Sequence, residues 1–129
     1  MSENTEKKKI LLVDDEKSSI SIAEVMLSDN YSVASADTCN KALKLIINDF
    51  IPDLILLDIL MPDTDGWETF NTLKGVSLLR GVPIAFLTSV DNPEAAKRAR
   101  ELGAADYIMK PYNKADLLSR IGKILDIQK

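Results

Sequence analysis

Between Pro52 and Gly66 the chain carries the feature that most narrows its possible folds: an apolar run, Leu54-Ile55-Leu56-Leu57, that ends on a carboxylate, Asp58. The run is too short for a buried helix and too continuous for a strand with one wet face. It predicts a strand covered on both sides, as in parallel sheets flanked by helices. Pro62 and Asp65-Gly66 then force a loop. Asp58 therefore stands at the carboxyl end of a central strand, the edge at which open α/β sheets bind their ligands.

The rest of the chain repeats the pattern. Ile10–Val13 is a short apolar strand that stops at Asp14-Asp15-Glu16. Tyr31–Ala36 alternates as a second strand, Pro83–Leu87 is another buried one closing on Thr88-Ser89, and Asp106–Met109 ends at Lys110-Pro111. Between them the spacing predicts helices. The first, over about 17–30, presents Ile22, Ala23, Met26 and Leu27 on one face. The second, capped by Asp37 or Thr38, carries the stripe Ala42, Leu45, Ile46 and is barred from continuing by Pro52. The third runs from about Gly66 to Leu73. The fourth opens at Asn92-Pro93-Glu94, ends at Gly103, and has a thin apolar face of Ala95, Ala96, Ala99 and Leu102. The last, over about 114–127, is strongly amphipathic through Leu117, Ile121, Ile124 and Leu125. Five strands alternating with five helices predict an α/β fold with a parallel sheet covered on both faces. A flexible charged tail over 1–8 is expected to precede one domain over 9–129.

Composition removes several function classes. Cys39 is the only cysteine, so no intramolecular disulfide forms, which suits a reducing cytoplasm. A net charge of −4 argues against a nucleic-acid or anionic-membrane surface. No run approaches a membrane span and no signal core is present. The sequence has no histidine, which excludes His-ligated metals, Ser-His-Asp chemistry and a phosphohistidine carried by this chain.

Four polar features follow four strands: Asp14-Asp15, Asp58, Thr88 and Lys110. Alone, three of them have a bland reading, a turn and helix cap for Asp14-Asp15, a turn hydroxyl for Thr88 and a solvated lysine for Lys110, whereas Asp58, ending a buried run, must find partners. In a parallel sheet, however, all four meet at one edge. Three carboxylates crowded there repel unless a cation intervenes, and all-oxygen donors favour Mg2+ over zinc. Lys110 suits one phosphate oxygen and the Thr88 hydroxyl another. So flanked, Asp58 is a carboxylate nucleophile for phosphorus.

Ile10-Leu-Leu-Val-Asp-Asp15, Asp53-Leu-Ile-Leu-Leu-Asp58, Met61-Pro62 with Asp65-Gly66, Leu87-Thr-Ser89, Gly103-Ala-Ala-Asp106-Tyr107 and Lys110-Pro111 together resemble the receiver domain of two-component response regulators over roughly residues 8–127. The resemblance implies a doubly wound (βα)5 flavodoxin-like three-layer sandwich with sheet order 2-1-3-4-5. It makes Asp58 the phosphoacceptor, with Asp14, Asp15, Asp58 and the backbone carbonyl of Leu60 holding Mg2+. Thr88 and Lys110 would hold the phosphoryl oxygens, and Thr88 and Tyr107 would act as the switch. The phosphoryl donor would be a phosphohistidine on a histidine kinase or a histidine phosphotransfer protein. The output would pass through the surface of the fourth helix, fifth strand and fifth helix to a downstream protein, with a homodimer through that surface as one form. The domain would be a signalling module in the cytoplasm rather than a turnover enzyme. Two positions that vary in that family, Leu60 and Val90, are apolar here, which predicts a long-lived phosphoryl group. Trp67 reads as packing, Cys39 as structural and inert, and Tyr112 as a variation on phenylalanine. Two alternatives stand beside this reading: a receiver-like interaction module that is not phosphorylated, and a Mg2+-dependent aspartyl-phosphate phosphohydrolase. The second expects an Asp two residues past the nucleophile, where this chain has Leu60.

Overall fold

The apolar runs pair side by side in the computed structural model, which describes residues 7–61 and 64–127. In chain order the elements are β1 (Lys9–Val13), α1 (Lys17–Leu27), β2 (Ser32–Ala36), α2 (Cys39–Ile47), β3 (Leu54–Leu57), β4 (Leu60–Met61), β5 (Thr64–Asp65), α3 (Gly66–Lys74), a 3-10 turn (Ser77–Leu79), β6 (Ile84–Thr88), α4 (Pro93–Glu101), β7 (Tyr107–Met109) and α5 (Lys114–Ile127). The main sheet is ordered β2-β1-β3-β6-β7 with every pairing parallel. Counting only its own strands, that is the order 2-1-3-4-5. The short strands β4 and β5 pair with each other as a separate antiparallel ribbon.

Alternation along the strands divides the core in two. Leu11, Val13, Ile55, Leu57, Ile84 and Phe86 face α2, α3 and α4, where they meet Ala42, Ile46, Phe70, Leu73 and Ala99. Ile10, Leu12, Leu54, Leu56, Ala85, Leu87 and Ile108 face α1 and α5, meeting Ala23, Leu27, Leu117, Ile121, Ile124 and Leu125. Because β3 points apolar residues to both faces, all of Leu54–Leu57 is buried. The result is the three-layer flavodoxin-like sandwich.

The helix signals are answered locally. Thr38, not Asp37, caps α2, its hydroxyl accepting from Lys41 N at 3.1 Å. Asn92 caps α4 by accepting from Glu94 N at 2.9 Å. Gly103 follows α4 with φ +90°, a conformation glycine adopts without strain. Only Ala99 is buried on α4, and Leu102 remains 36% exposed, as the thin face predicts.

Three expectations need correction. Helix α1 ends at Leu27 rather than near Asn30. Its buried face is Ala23 and Leu27 with Ile20 and Met26 packed beside them, while Ile22 is 51% exposed. At about 100° per residue Ile22 lies about 160° round the helix from Ile20 and about 140° from Leu27, on the side away from the buried face. The loop expected after Asp58 contains the β4–β5 ribbon, in which Leu60 pairs with Asp65. Pro62, on which that loop was argued, lies outside the described residues, as does the tail through residue 6. Lys9 belongs to β1.

Candidate phosphoryl-transfer site

The sheet register fixes the site before any side chain is considered. Val13 pairs with Leu57, Leu57 with Phe86, and Thr88 with Met109, so the carboxyl ends of four strands finish in line. The ladder continues one step beyond β1 and β3. Asp14 N donates to Ala36 O at 3.1 Å, and Asp58 N donates to Val13 O at 3.0 Å. Lys110 N donates to Thr88 O at 2.9 Å, which ties the residue after β7 to the end of β6.

Both carboxylates are held by local backbone as well. Asp14 Oδ1 accepts from Glu16 N at 3.0 Å, and Asp58 Oδ1 accepts from Leu60 N at 3.1 Å. Each carboxylate turns its other oxygen to Lys110, whose Nζ lies 2.8 Å from Asp14 Oδ2 and 3.2 Å from Asp58 Oδ2. The third partner of Nζ is Ser19 Oγ, at 3.1 Å. Asp14 and Asp58 are only 7% and 6% exposed. Burial drives the Asp14 pKa above the usual carboxylate value, outweighing the hydrogen bonds from Lys110 and Glu16 N–H, and the Asp58 charge adds to the rise. Burial works against the Lys110 ammonium, but the Asp14 hydrogen bond and the charges of Asp58 and Asp14 together raise its pKa. Lys110 therefore carries its positive charge at any physiological pH.

The turn that presents Asp58 depends on Gly66. Gly66 N donates to Ile59 O at 3.1 Å. A Cβ there would lie 2.4 Å from Ile59 Cα and 2.7 Å from Asp58 O, so only glycine permits this approach. On the other side Thr88 is fully buried, its hydroxyl accepting from Val90 N at 3.3 Å. Tyr107 Oη donates to Val90 O at 2.6 Å, so both residues predicted to switch hold the same loop backbone. Burial, then the charges of Asp91 and Asp58, raise the Tyr107 pKa and keep the hydroxyl protonated.

The structure thus brings Asp14, Asp58 and Lys110 into direct contact and sets Thr88 at the end of the neighbouring strand. Asp15 is half-buried at the same edge. Leu60 meets Asp58 through its N–H. Among the described residues, no three acidic or cysteine side chains are gathered into a ready-made metal nest. The donors nevertheless suit a hard divalent ion in kind. All are oxygens, and Asp14, Asp15 and Asp58 outnumber the one ammonium by two charges.

Ser19 was missed from the sequence. The only available signal was its place in the first turn of α1, directly after the acidic pair, where a serine ordinarily reads as helix polarity. Trp67 packs as expected, its ring 5.0 Å from that of Phe86, and it also lies under Arg98 of α4 at 4.3 Å. Cys39 is half-buried, and burial pushes its thiol pKa up, away from reactivity. Tyr112 packs half-buried against the α1–α5 core.

Known proteins resemble this chain in sequence and fold. The family model described as the response regulator receiver domain matches residues 10–122. The transcriptional regulatory protein CusR of Escherichia coli is 35% identical over 119 residues, 91% of this chain and 51% of CusR. Response regulator SaeR of Staphylococcus epidermidis is 32% identical over 117 residues, 90% of this chain and 49% of its own. A probable cyclic di-GMP phosphodiesterase of Vibrio cholerae is 37% identical over 112 residues, 87% of this chain but 25% of its own. The chain therefore spans about half or less of the length of these relatives. Among solved structures, a CheY-like receiver domain protein of Methanospirillum hungatei superposes with TM-score 0.83 at 34% identity, covering 95% of this chain and 96% of that one. The BeF3-activated receiver domain of DrrB superposes with TM-score 0.80 at 27% identity, covering 93% and 98%.

Proposed function

The chain belongs to the response regulator receiver domain family, and on that premise we propose that Asp58 accepts a phosphoryl group from a phosphohistidine on a separate sensor kinase or phosphotransfer protein. The observation that carries the proposal is the buried contact of Lys110 Nζ with both Asp14 and Asp58 at the carboxyl edge of the sheet. A structural ion pair needs one carboxylate; this one keeps two, with Asp15 beside them.

In the transfer, a carboxylate oxygen of Asp58 forms the new O–P bond as the donor's N–P bond breaks, and the released imidazole nitrogen takes up a proton. Asp58 is already aimed by the Val13 carbonyl and the Leu60 N–H, so little freedom is lost in reaching the attack geometry. Lys110 neutralises charge on one phosphoryl oxygen by moving its ammonium from the carboxylates to the new group. Mg2+, held by Asp14, Asp15, Asp58 and the Leu60 carbonyl, would supply charge neutralisation of the transferring oxygens. Thr88 would then exchange its bond with Val90 N for one donated to the phosphoryl group. Because Tyr107 also bonds Val90, that exchange would pull on the loop leading to α4. Helix α4, with one buried residue, is the element most easily displaced. The output surface would be α4, β7 and α5, read by a downstream protein or by a second copy of the chain. In this role the domain switches its own state in the cytoplasm rather than turning over a separate substrate.

Incubation with acetyl phosphate and Mg2+ followed by intact mass tests the reading. One added phosphoryl group, absent with EDTA and absent in Asp58→Ala, is the expected result. No addition would leave the interaction module as the better reading; steady release of phosphate from a small phosphoester would favour the phosphohydrolase.

A further inference from the structure

Lys110 has to leave Asp14 and Asp58 to reach a phosphoryl oxygen, and what holds it in place beforehand helps set how readily Asp58 reacts. Two of its three partners are carboxylates, and the third, Ser19 Oγ at 3.1 Å, comes from α1. The ammonium has only protons to give, so Ser19 Oγ must accept. The Ser19 hydroxyl proton points elsewhere: it is donated to Glu16 Oε1. Glu16 precedes α1 and makes no side-chain cap bond to the helix backbone, so its carboxylate is free for Ser19. A charged acceptor thus polarises a neutral hydroxyl whose lone pair faces the lysine, and bonds in such a chain reinforce one another. Both residues line a groove of about 420 Å3 that opens between α1 and Tyr112 beside Lys110.

We propose that Ser19, oriented by Glu16, is a positioning residue that parks Lys110 in its unphosphorylated place and so restrains phosphorylation of Asp58. The inference rests on the function proposed above. Ser19 contacts the lysine in the resting arrangement, and the bond is given up once the ammonium turns to the phosphoryl group. Its loss therefore raises the free energy of the resting state and leaves the phosphorylated state unchanged.

The test separates these states. In Ser19→Ala the rate of phosphorylation by acetyl phosphate with saturating Mg2+ is expected to rise about three- to ten-fold, the kinetic equivalent of one net hydrogen bond. The decay rate of the phosphorylated protein is expected to stay at the wild-type value. Ser19→Thr, which keeps the hydroxyl, should restore the wild-type phosphorylation rate, and Glu16→Ala should fall between wild type and Ser19→Ala. A slower or unchanged Ser19→Ala overturns the proposal, as does an equal change in both rates or a threonine variant that behaves like alanine. A second readout needs no phosphorylation: acylation of Lys110 by an amine-directed reagent, followed by peptide mass spectrometry. It should be several-fold faster in Ser19→Ala than in wild type. If Asp58 takes no phosphoryl group but Lys110 is released by the substitution, the functional reading fails while the parking contact stands. Equal labelling of the two proteins sinks the contact itself.

Discussion

Replacing Lys110 with alanine strips the single cation from between two buried carboxylates, and the size of the loss follows from the geometry. Removing one member of a buried ion pair typically costs about 3–5 kcal/mol, because the charge left behind is uncompensated. Here two charges are left, but their side chains keep 10% and 7% of their surface. Asp14, whose pKa burial already raises, recovers part of the penalty only toward low pH, where it takes up a proton. We expect a net loss of about 2–4 kcal/mol near pH 8, or about 8–15 °C in Tm for a chain of this length. The pH dependence has a definite sign. Asp14 holds its proton more tightly folded than unfolded, so the native state binds more protons from its model value of 3.8 up to its raised folded value. Stability therefore falls as pH rises through that window. Losing Lys110 removes a cation and extends the window upward. The raised pKa of Lys110 works in the wild type's favour: its contribution is complete below its model value of 10.5 and is lost only as pH climbs through the folded value. Urea unfolding of both proteins at pH 5 and pH 8, in EDTA, should show a deficit clearly smaller at pH 5. Asp58→Asn added to Lys110→Ala should recover much of it, since it removes one stranded charge. A variant within about 0.5 kcal/mol of wild type at pH 8, or a deficit independent of pH and of Asp58→Asn, would refute the electrostatic account.

Four further outcomes are expected. Gly66→Ala should cost about 1–3 kcal/mol and slow phosphorylation at least about ten-fold, since the new Cβ meets the Asp58–Ile59 backbone; urea titration and the acetyl phosphate assay read both. Thr38→Ala should cost about 1 kcal/mol through loss of the α2 cap and leave phosphorylation unchanged, which the same pair of measurements checks. Arg98→Ala should shift the emission of Trp67 and cost about 0.5–1 kcal/mol, because the guanidinium covers the indole face. Leu60→Asn with Val90→Glu should hasten loss of the phosphoryl group by placing polar side chains where water must approach, and an unchanged half-life would count against the role given to these apolar residues.

Most of the fold was legible because each strand here is short, apolar and punctuated. The pattern of Leu54–Leu57, buried on both faces and closed by Asp58, has few solutions other than a central parallel strand. Thr38, Asn92 and Gly103 announce helix ends through chemistry that acts within a few residues, so sequence alone suffices for them. Ile22 was misplaced for the opposite reason. Its exposure depends on how α1 rolls against α5 and the sheet, and a helix with apolar residues at Ile20, Ile22, Ala23, Val25, Met26 and Leu27 allows more than one roll. The β4–β5 ribbon went unread because two residues a side carry no periodicity. Asp14, Asp58 and Lys110 were found because strand ends of a parallel sheet must coincide. Ser19 reaches the same spot from a helix, and nothing in the sequence tells how far round α1 it lies.

The site is unequal on its two sides, and the inequality follows from what each side is packed upon. The turn after β3 is closed by Gly66 against Ile59, with α3 buried through Phe70 and Leu73, so Asp58 is carried on backbone that has nowhere to go. The turn after β6 is held by two single hydrogen bonds, one donated by Val90 N to the Thr88 hydroxyl and one donated by the Tyr107 hydroxyl to Val90 O, followed by a helix with one buried alanine. The phosphoryl charge proposed for Asp58 would act on both sides, but only the second side can yield at a cost of a few hydrogen bonds. Phe86 lies between the two, its ring 5.0 Å from Trp67 and 6.3 Å from Tyr107, and Trp67 in turn carries Arg98 of α4. Any rotation of Tyr107 therefore disturbs a packed aromatic stack whose far end is the helix that is held least. The same sequence that holds Asp58 rigidly leaves its neighbour loose, and the switch proposed above requires that difference.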